Sequence, residues 1–273
     1  MEERTAGSRT GRNLPAAIGV GVGLGALVIV SLFTVKELFL LVVVAAVGIG
    51  VVELIQAFGT RGIKVPTVPL VAATAAMQAA AYWGGPTWLL ATFVGFVFVL
   101  LIWRMFSAST DGFVRDTTAS VFTLVYPPLL AGFVALLLAP GDGRDRVLIF
   151  IAVTVASDIG GYIFGVLFGK HKMSIISPKK TWEGFAGSVL ACVGVGAWLV
   201  VWLMDGEIWQ GALIGVLVAA LATVGDLIES MIKRDLGIKD LGSILPGHGG
   251  LMDRLDSLVT TLIPVWVLLT VFF

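Results

Sequence analysis

The sequence predicts an all-α, polytopic integral membrane protein with about nine transmembrane helices. Three observations carry that expectation. Mean hydropathy is +1.00. Only 13% of the 273 residues are charged, where an average soluble domain has roughly a quarter. Apolar runs of the roughly 17–25 residues that a spanning helix needs recur along the whole chain. Hydrocarbon offers backbone groups no partner, so such runs satisfy their own N–H and C=O groups as helices. Formal net charge is zero and no nucleic-acid module is present, so no nucleic-acid partner is expected and the placement of charge is what informs. The single cysteine, Cys192, lies in an apolar run, can form no intramolecular disulfide and is read as helix packing.

Residues 1–13 are polar, carry Arg4, Arg9 and Arg12, and are expected to be a disordered cytoplasmic tail. The apolar run that follows has no convincing small-residue cleavage site and is read as a retained first span. The runs fall at 14–35, 38–58, 65–84, 87–103, 119–139, 147–169, 183–204, 208–230 and 257–273, with soft ends that leave eight or ten open. Cytoplasmic loops collect Lys and Arg. With the N-terminus inside, nine spans put 15 of the 18 basic residues on the cytoplasmic side and leave Lys36, Arg144 and Arg146 opposite. The expectation is a cell (inner) membrane protein with its N-terminus inside and its C-terminus outside.

The first five helices, over 14–146, read as carrying little chemistry. Gly19, Gly21, Gly23 and Gly25 lie within an apolar helix without a strand-turn-helix context, so they are read as close helix packing rather than a nucleotide fingerprint. Glu53 stands near the cytoplasmic end of the second run beside Gln56 and is assigned a structural role, reaching for the interface. Tyr126, Pro127 and Pro128 interrupt the fifth run, where the prolines remove donors and should kink the helix.

From about residue 150 the character changes. Asp158 lies mid-run, where a carboxylate costs roughly 2.5–3.5 kcal/mol on insertion scales, so a functional role is favoured. With Tyr162, Gly165 and Gly169 it forms a face both polar and smooth enough for a helix or ligand to approach. The next cytoplasmic segment holds Lys170, Lys172, Lys179 and Lys180 around Ser177 and Pro178. Thr181 is placed to cap the seventh helix, which sets Lys179 and Lys180 near a helix N-terminus, a natural setting for phosphate.

The densest chemistry runs from Asp226 to Asp256. Asp226, Glu229, Ser230 and Lys233 share one face at the cytoplasmic end of the eighth helix. Asp253 and Asp256 share another if the ninth helix reaches back that far. Three to five carboxylates would then converge from two helix ends, and a divalent cation is the economical way to hold them. Oxygen donors without thiols favour Mg²⁺, with Mn²⁺ as a substitute, over zinc. Lys233, Arg234, Lys239 and Arg254 are interleaved with these acids, and Pro246 to Gly250 form a glycine-rich connector whose N–H groups suit an anion. No Walker A is present, because Gly169 and Lys170 are followed by His171.

Here a resemblance becomes specific. Ser230, Ile232, Lys233 and Arg234, then Lys239, Asp240 and Gly242, then Leu245, Pro246, His248, Gly249, Gly250, Asp253, Arg254, Leu255 and Asp256 resemble the full signature of the phosphatidate cytidylyltransferases. Ser177 to Gly184 and the helix of Asp158 to Gly165 are similar to that family too, so the match covers about 150–257. The resemblance implies a membrane enzyme that transfers CMP from CTP to phosphatidic acid. It implies Mg²⁺ dependence with room for a second cation, contact with membrane lipids and often a homodimer. Helices six to nine, over 147–273, would be the catalytic part with cytoplasmic active-site loops. Asp226 and Asp253, then Asp256, would be the metal ligands.

On that reading Asp226, Lys233, Arg234, Asp253, Arg254 and His248 are the catalytic candidates. Substrate contacts are expected from Asp158, Ser177, Lys179, Lys180, Glu229, Ser230, Lys239, Gly249 and Gly250. Lys233, Arg234, Lys239 and Arg254 would neutralise triphosphate, and Lys179 and Lys180 would hold the lipid headgroup. His248 either donates to phosphate or supports its loop. A CTP-dependent lipid kinase would need a base for a neutral hydroxyl, and a transporter would show an internal repeat, which is not found.

Overall fold

The computed structural model describes residues 14–106, 110–174, 176–177, 179–242, 244 and 249–273, without the side chains of 14–18 and 20. The expected tail at 1–13 lies outside them. The described chain forms α1 (Leu14–Thr34), α2 (Lys36–Gly59), α3 (Thr67–Met105), α4 (Phe113–Leu124), a π turn at Val125–Leu129, α5 (Leu130–Leu138), α6 (Gly143–Phe168), α7 (Trp182–Met204), α8 (Ile208–Leu236) and α9 (Met252–Phe272). Among the described residues no strand is built; Lys172 and Thr181 make one antiparallel bridge.

Seven described runs are long and apolar enough to cross a membrane, and Gly21–Thr34 is a shorter apolar helix beside them. The protein is thus an all-α polytopic membrane protein. Nine spans result only if α1 counts as one and α3 as two. At 39 residues, α3 would run about 58 Å, nearly twice the hydrocarbon core. It is divided at Gly85, which is non-helical at φ 78° and followed by Pro86. Only glycine adopts that backbone without strain.

The interrupted fifth run is as expected, and its physical form is the π turn. Tyr126, Pro127 and Pro128 are buried in it, and the Gln78 side chain of α3 donates to the Pro128 carbonyl at 3.2 Å. A polar side chain from a neighbour thus supplies a donor to a carbonyl within the irregular turn. The glycine series of α1 differs from expectation. A Cβ at Gly19, Gly21, Gly23 or Gly25 would meet nothing within 4 Å, so this face packs against no part of the described chain.

Close packing lies instead among α6 to α9. Within lipid there is little hydrophobic drive between helices, so small residues and hydrogen bonds must hold them. A Cβ at Gly160 would stand 2.5 Å from the Gly187 carbonyl, and one at Gly161 2.7 Å from Ser188 Oγ. Ser188 Oγ donates to the Ser157 carbonyl at 2.6 Å, and Cys192 Sγ to the Val153 carbonyl at 3.3 Å, the packing role expected of it. The same device joins α7 to α8, where a Cβ at Gly215 would meet the Cys192 carbonyl at 2.5 Å. It also joins α8 to α9, where one at Gly225 would meet the Asp256 carbonyl at 2.6 Å.

Gly160→Leu should therefore cost about 1–3 kcal/mol by forcing α6 and α7 apart. Gly194→Leu, where a Cβ meets nothing within 4 Å, should cost nothing. Thermal unfolding of the two variants in the same detergent checks this.

Candidate active site

The polar end of the close-packed group is built from the loop before α7, the last turns of α8 and the first turn of α9. Thr181 caps α7 as expected, its Oγ1 accepting from the Gly184 N–H at 3.1 Å. The loop folds back on that cap: Met173 N–H donates to the Lys180 carbonyl at 2.8 Å and Lys180 N–H to the Ser177 carbonyl at 3.0 Å. Glu183 accepts from the N–H groups of Lys170 and His171, each at 3.2 Å. Pro178 lies outside the described residues.

This folded loop sends Lys180 across to α8, where it forms an ion pair with Asp226. Burial pushes the Lys180 ammonium down to about 8, opposed by the nearby carboxyls of Asp256, Asp158 and Glu229. Lys179 and Lys180 line a cavity of about 190 Å³ together with Asp158, Tyr162, Thr181 and Asp226. Of the face expected on α6, Asp158, Tyr162 and Gly165 line this cavity, with Gly161 beside them, and Gly169 does not.

Deeper in, Lys233 stands between two carboxylates. Its Nζ donates to Glu229 Oε2 at 2.6 Å and to Asp253 Oδ1 at 2.9 Å. The Glu229 and Asp253 side chains are only 4% and 7% exposed, so the pair would be costly without the lysine. α9 does start early enough to carry Asp253 and Asp256 in its first turns. Asp253 Oδ2 also accepts from the N–H groups of Gly250 at 2.8 Å and Leu241 at 3.2 Å. Asp256 is buried, with Oδ1 accepting from the Ser257 N–H at 2.7 Å. Gly249 holds a left-handed φ of 83°, open to glycine.

Asp158, Lys180, Asp226, Glu229, Lys233, Asp253 and Asp256 are thus one electrostatic cluster, with Arg254 within reach of Asp158. Arg234 and Lys239 are exposed, and no ion pair to either is found among the described residues. Ser230 is half-buried on the same helix. His248 lies outside the described residues.

Glu53 has the structural role expected of it but does not reach an interface: it is 0% exposed and its Oε2 accepts from the Met252 N–H at 2.8 Å. The first five helices therefore do reach the site. A lone acid in an apolar run gives no pattern to read, and its partner is 199 residues away.

The donors suit a hard divalent cation: five carboxyl groups outnumber the lysines between them, and Glu229 Oε1 is buried without a partner. As arranged, Asp226, Glu229 and Asp253 are turned toward a lysine and Asp256 toward a backbone N–H, while Asp158 lies within electrostatic reach of Lys180. Among the described residues no three acidic, histidine or cysteine side chains converge as a ligand set.

A model of the cytidylyltransferase family matches residues 15–272. The chain belongs to that family. It is accordingly a nucleotidyltransferase that uses CTP, and the cluster above is its candidate active site. A protein of Mycobacterium bovis named phosphatidate cytidylyltransferase is 40% identical over 283 residues, 99% of this chain and 92% of its own. One of the same name from Mycobacterium leprae is 38% identical over 96% of this chain and 89% of its own. Another, from Synechocystis, is 49% identical over 112 residues, 39% of this chain and 36% of its own.

In this cytidylyltransferase, Lys233→Ala should destabilise the fold by about 3–5 kcal/mol, because two buried carboxylates lose their cation. Arg234→Ala, at an exposed position, should stay within about 0.5 kcal/mol. Denaturation midpoints of the two purified variants test the contrast.

Proposed function

We propose that the protein is a phosphatidate cytidylyltransferase, which joins CTP and phosphatidic acid to give CDP-diacylglycerol and pyrophosphate. The observation that carries this reading is the lysine-bridged carboxylate cluster at the ends of α8 and α9, beside a cavity lined by Lys179 and Lys180. Near-full-length relatives bear that name.

The acceptor oxygen of phosphatidate is already anionic, so no strong general base is required. The difficulty lies in bringing two polyanions together and stabilising the charge that builds on the leaving group. A phosphatidate oxygen attacks the α-phosphorus of CTP, the bond from that phosphorus to the β-bridging oxygen breaks, and pyrophosphate leaves with the electron pair. Lys179 and Lys180 hold the lipid phosphate from the α7 side. Lys233, Arg234, Lys239 and Arg254 neutralise the triphosphate, and the Gly249 and Gly250 backbone lets phosphate approach closely. Asp226, Asp253 and Asp256 would hold Mg²⁺, with Asp226 and Asp253 taking it in place of their lysine contacts. That ion supplies charge neutralisation and orientation of phosphate oxygens. Asp158 and Glu229 keep Lys180 and Lys233 charged and aimed, and Ser177 and Ser230 offer hydroxyls at the edge of the site.

The 15 to 3 distribution of basic residues supports a cytoplasmic active site, within reach of CTP, and a C-terminus on the other side. The lipid need not leave the inner leaflet if its acyl chains lie between α6 and α9. A homodimer remains part of the reading through the resemblance alone.

Purified protein with phosphatidic acid and Mg²⁺ should move label from α-labelled CTP into lipid. Asp253→Asn should lower the rate by about 10²–10³-fold, the scale for losing one electrostatic element of such a site. Lipid labelled only from γ-labelled CTP, or no lipid labelled by folded protein, contradicts the reading.

A further inference from the structure

The segment that leaves α8 at Gly237 and returns at Leu251 is held at both ends by one element outside the α6 to α9 group. At the leaving end, Arg61, just after α2, donates from Nε to the Leu236 carbonyl at 2.9 Å. Its Nη2 donates to the Asp235 carbonyl at 3.0 Å. The last carbonyls of a helix lack intrahelical donors and carry partial negative charge, so a guanidinium answers both needs. Gly237 turns there with φ 71°, and a Cβ would stand 2.8 Å from Arg61 Nη2.

At the returning end the polarity is reversed. Met252 opens α9, and its N–H is one of the orphan donors of the first turn. Glu53 Oε2 accepts it at 2.8 Å, placing an anion at the positive end of the helix. The carboxylate is fully buried, and the backbone lies directly on it. A Cβ at Gly250 would stand 2.7 Å from Glu53 Oε2, and one at Gly242 would collide with the same side chain. Behind this turn, Asp253 Oδ2 accepts from Gly250 and Leu241 N–H groups while Oδ1 holds Lys233. The chain near 241–242 and 250–252 is therefore caught between two carboxylates, Glu53 on one side and Asp253 on the other.

We infer that Glu53 and Arg61 are positioning residues of the transfer reaction, clamping the two ends of the 237–251 segment so that Asp253 and Lys233 keep their register. The inference rests on the proposed phosphatidate cytidylyltransferase reading for its kinetic consequence, and on geometry alone for its structural one. Neither residue touches substrate; each acts through the segment it holds.

The test uses the full chain in lipid nanodiscs, with Glu53→Ala, Glu53→Gln, Arg61→Ala and Arg61→Lys compared for kcat, KM for CTP, KM for phosphatidate, thermal midpoint and amide exchange. Glu53→Ala should lower kcat/KM for CTP by about tenfold to a hundredfold, the scale of a small misplacement of reacting groups. KM for phosphatidate should hold. Glu53→Gln keeps an acceptor for Met252 and should recover most of the loss. Arg61→Ala should lose several-fold, with partial recovery in Arg61→Lys. Exchange at the Leu241, Gly250 and Met252 amides should quicken in both alanine variants.

Wild-type kcat and wild-type exchange in the folded alanine variants would overturn the clamp. So would a loss that follows only the amount of folded protein, with kcat per folded molecule unchanged. If Glu53→Ala does not fold, Glu53→Gln and the Arg61 pair decide the matter. Wild-type protein that makes no CDP-diacylglycerol would sink the functional reading, while the exchange data would still judge the clamp.

Discussion

Five carboxyl groups from three helices cannot stand charged beside one another at a membrane boundary unless cations stand between them. Lys180 and Lys233 are those cations here. Lys180 pairs with Asp226 and lies within electrostatic reach of Asp158, Glu229 and Asp256. Lys233 bridges Glu229 and Asp253. Desolvation penalises every one of these charges alone, so each pair is stable only as a pair. The rest of the architecture can be understood as what brings two lysines to five acids from separate parts of the chain.

Part of that task falls to glycine. Carboxylates on α6, α8 and α9 share one lysine because the intervening helices touch at the backbone. Gly160 lies against Gly187, Gly215 against Cys192, and Gly225 against Asp256. Larger residues at these glycines would force the helices apart. The other part falls to the loop before α7, which is folded on its own backbone and on Glu183 so that Lys180 is delivered at a fixed height. On the proposed function, substrates rich in phosphate would replace carboxylates at Lys180 and Lys233, while the exposed Arg234 and Lys239 would meet them at the rim.

Much of this was legible in the residues because it is local. The face of Asp226, Glu229 and Lys233 follows from helical period, as does the pair on α9, and the Thr181 cap follows from a hydroxyl three residues before Gly184. What was not legible is what arises between distant segments. Glu53 gives no periodic signal, since the N–H it satisfies belongs to the far end of the chain. Arg61 reads only as a topological charge, although it closes the end of α8. The small-residue stripe of α1 has the composition of a helix seam, but composition does not say whether a partner lies opposite, and within the described chain none does. Likewise the two expected spans at 65–84 and 87–103 lie on one helical run whose break depends on a single backbone angle at Gly85.

On the proposed function, the nucleotide and its cation would enter where lysine now holds carboxylate. An experimental structure of the protein in nanodiscs with Mg²⁺ and a non-hydrolysable CTP analogue tests it most directly. The account predicts triphosphate density beside Lys233 and Arg254, with Asp226 released from Lys180 and facing a metal. Nucleotide bound elsewhere, with both lysine pairs intact and no ion at Asp226 or Asp253, would contradict it.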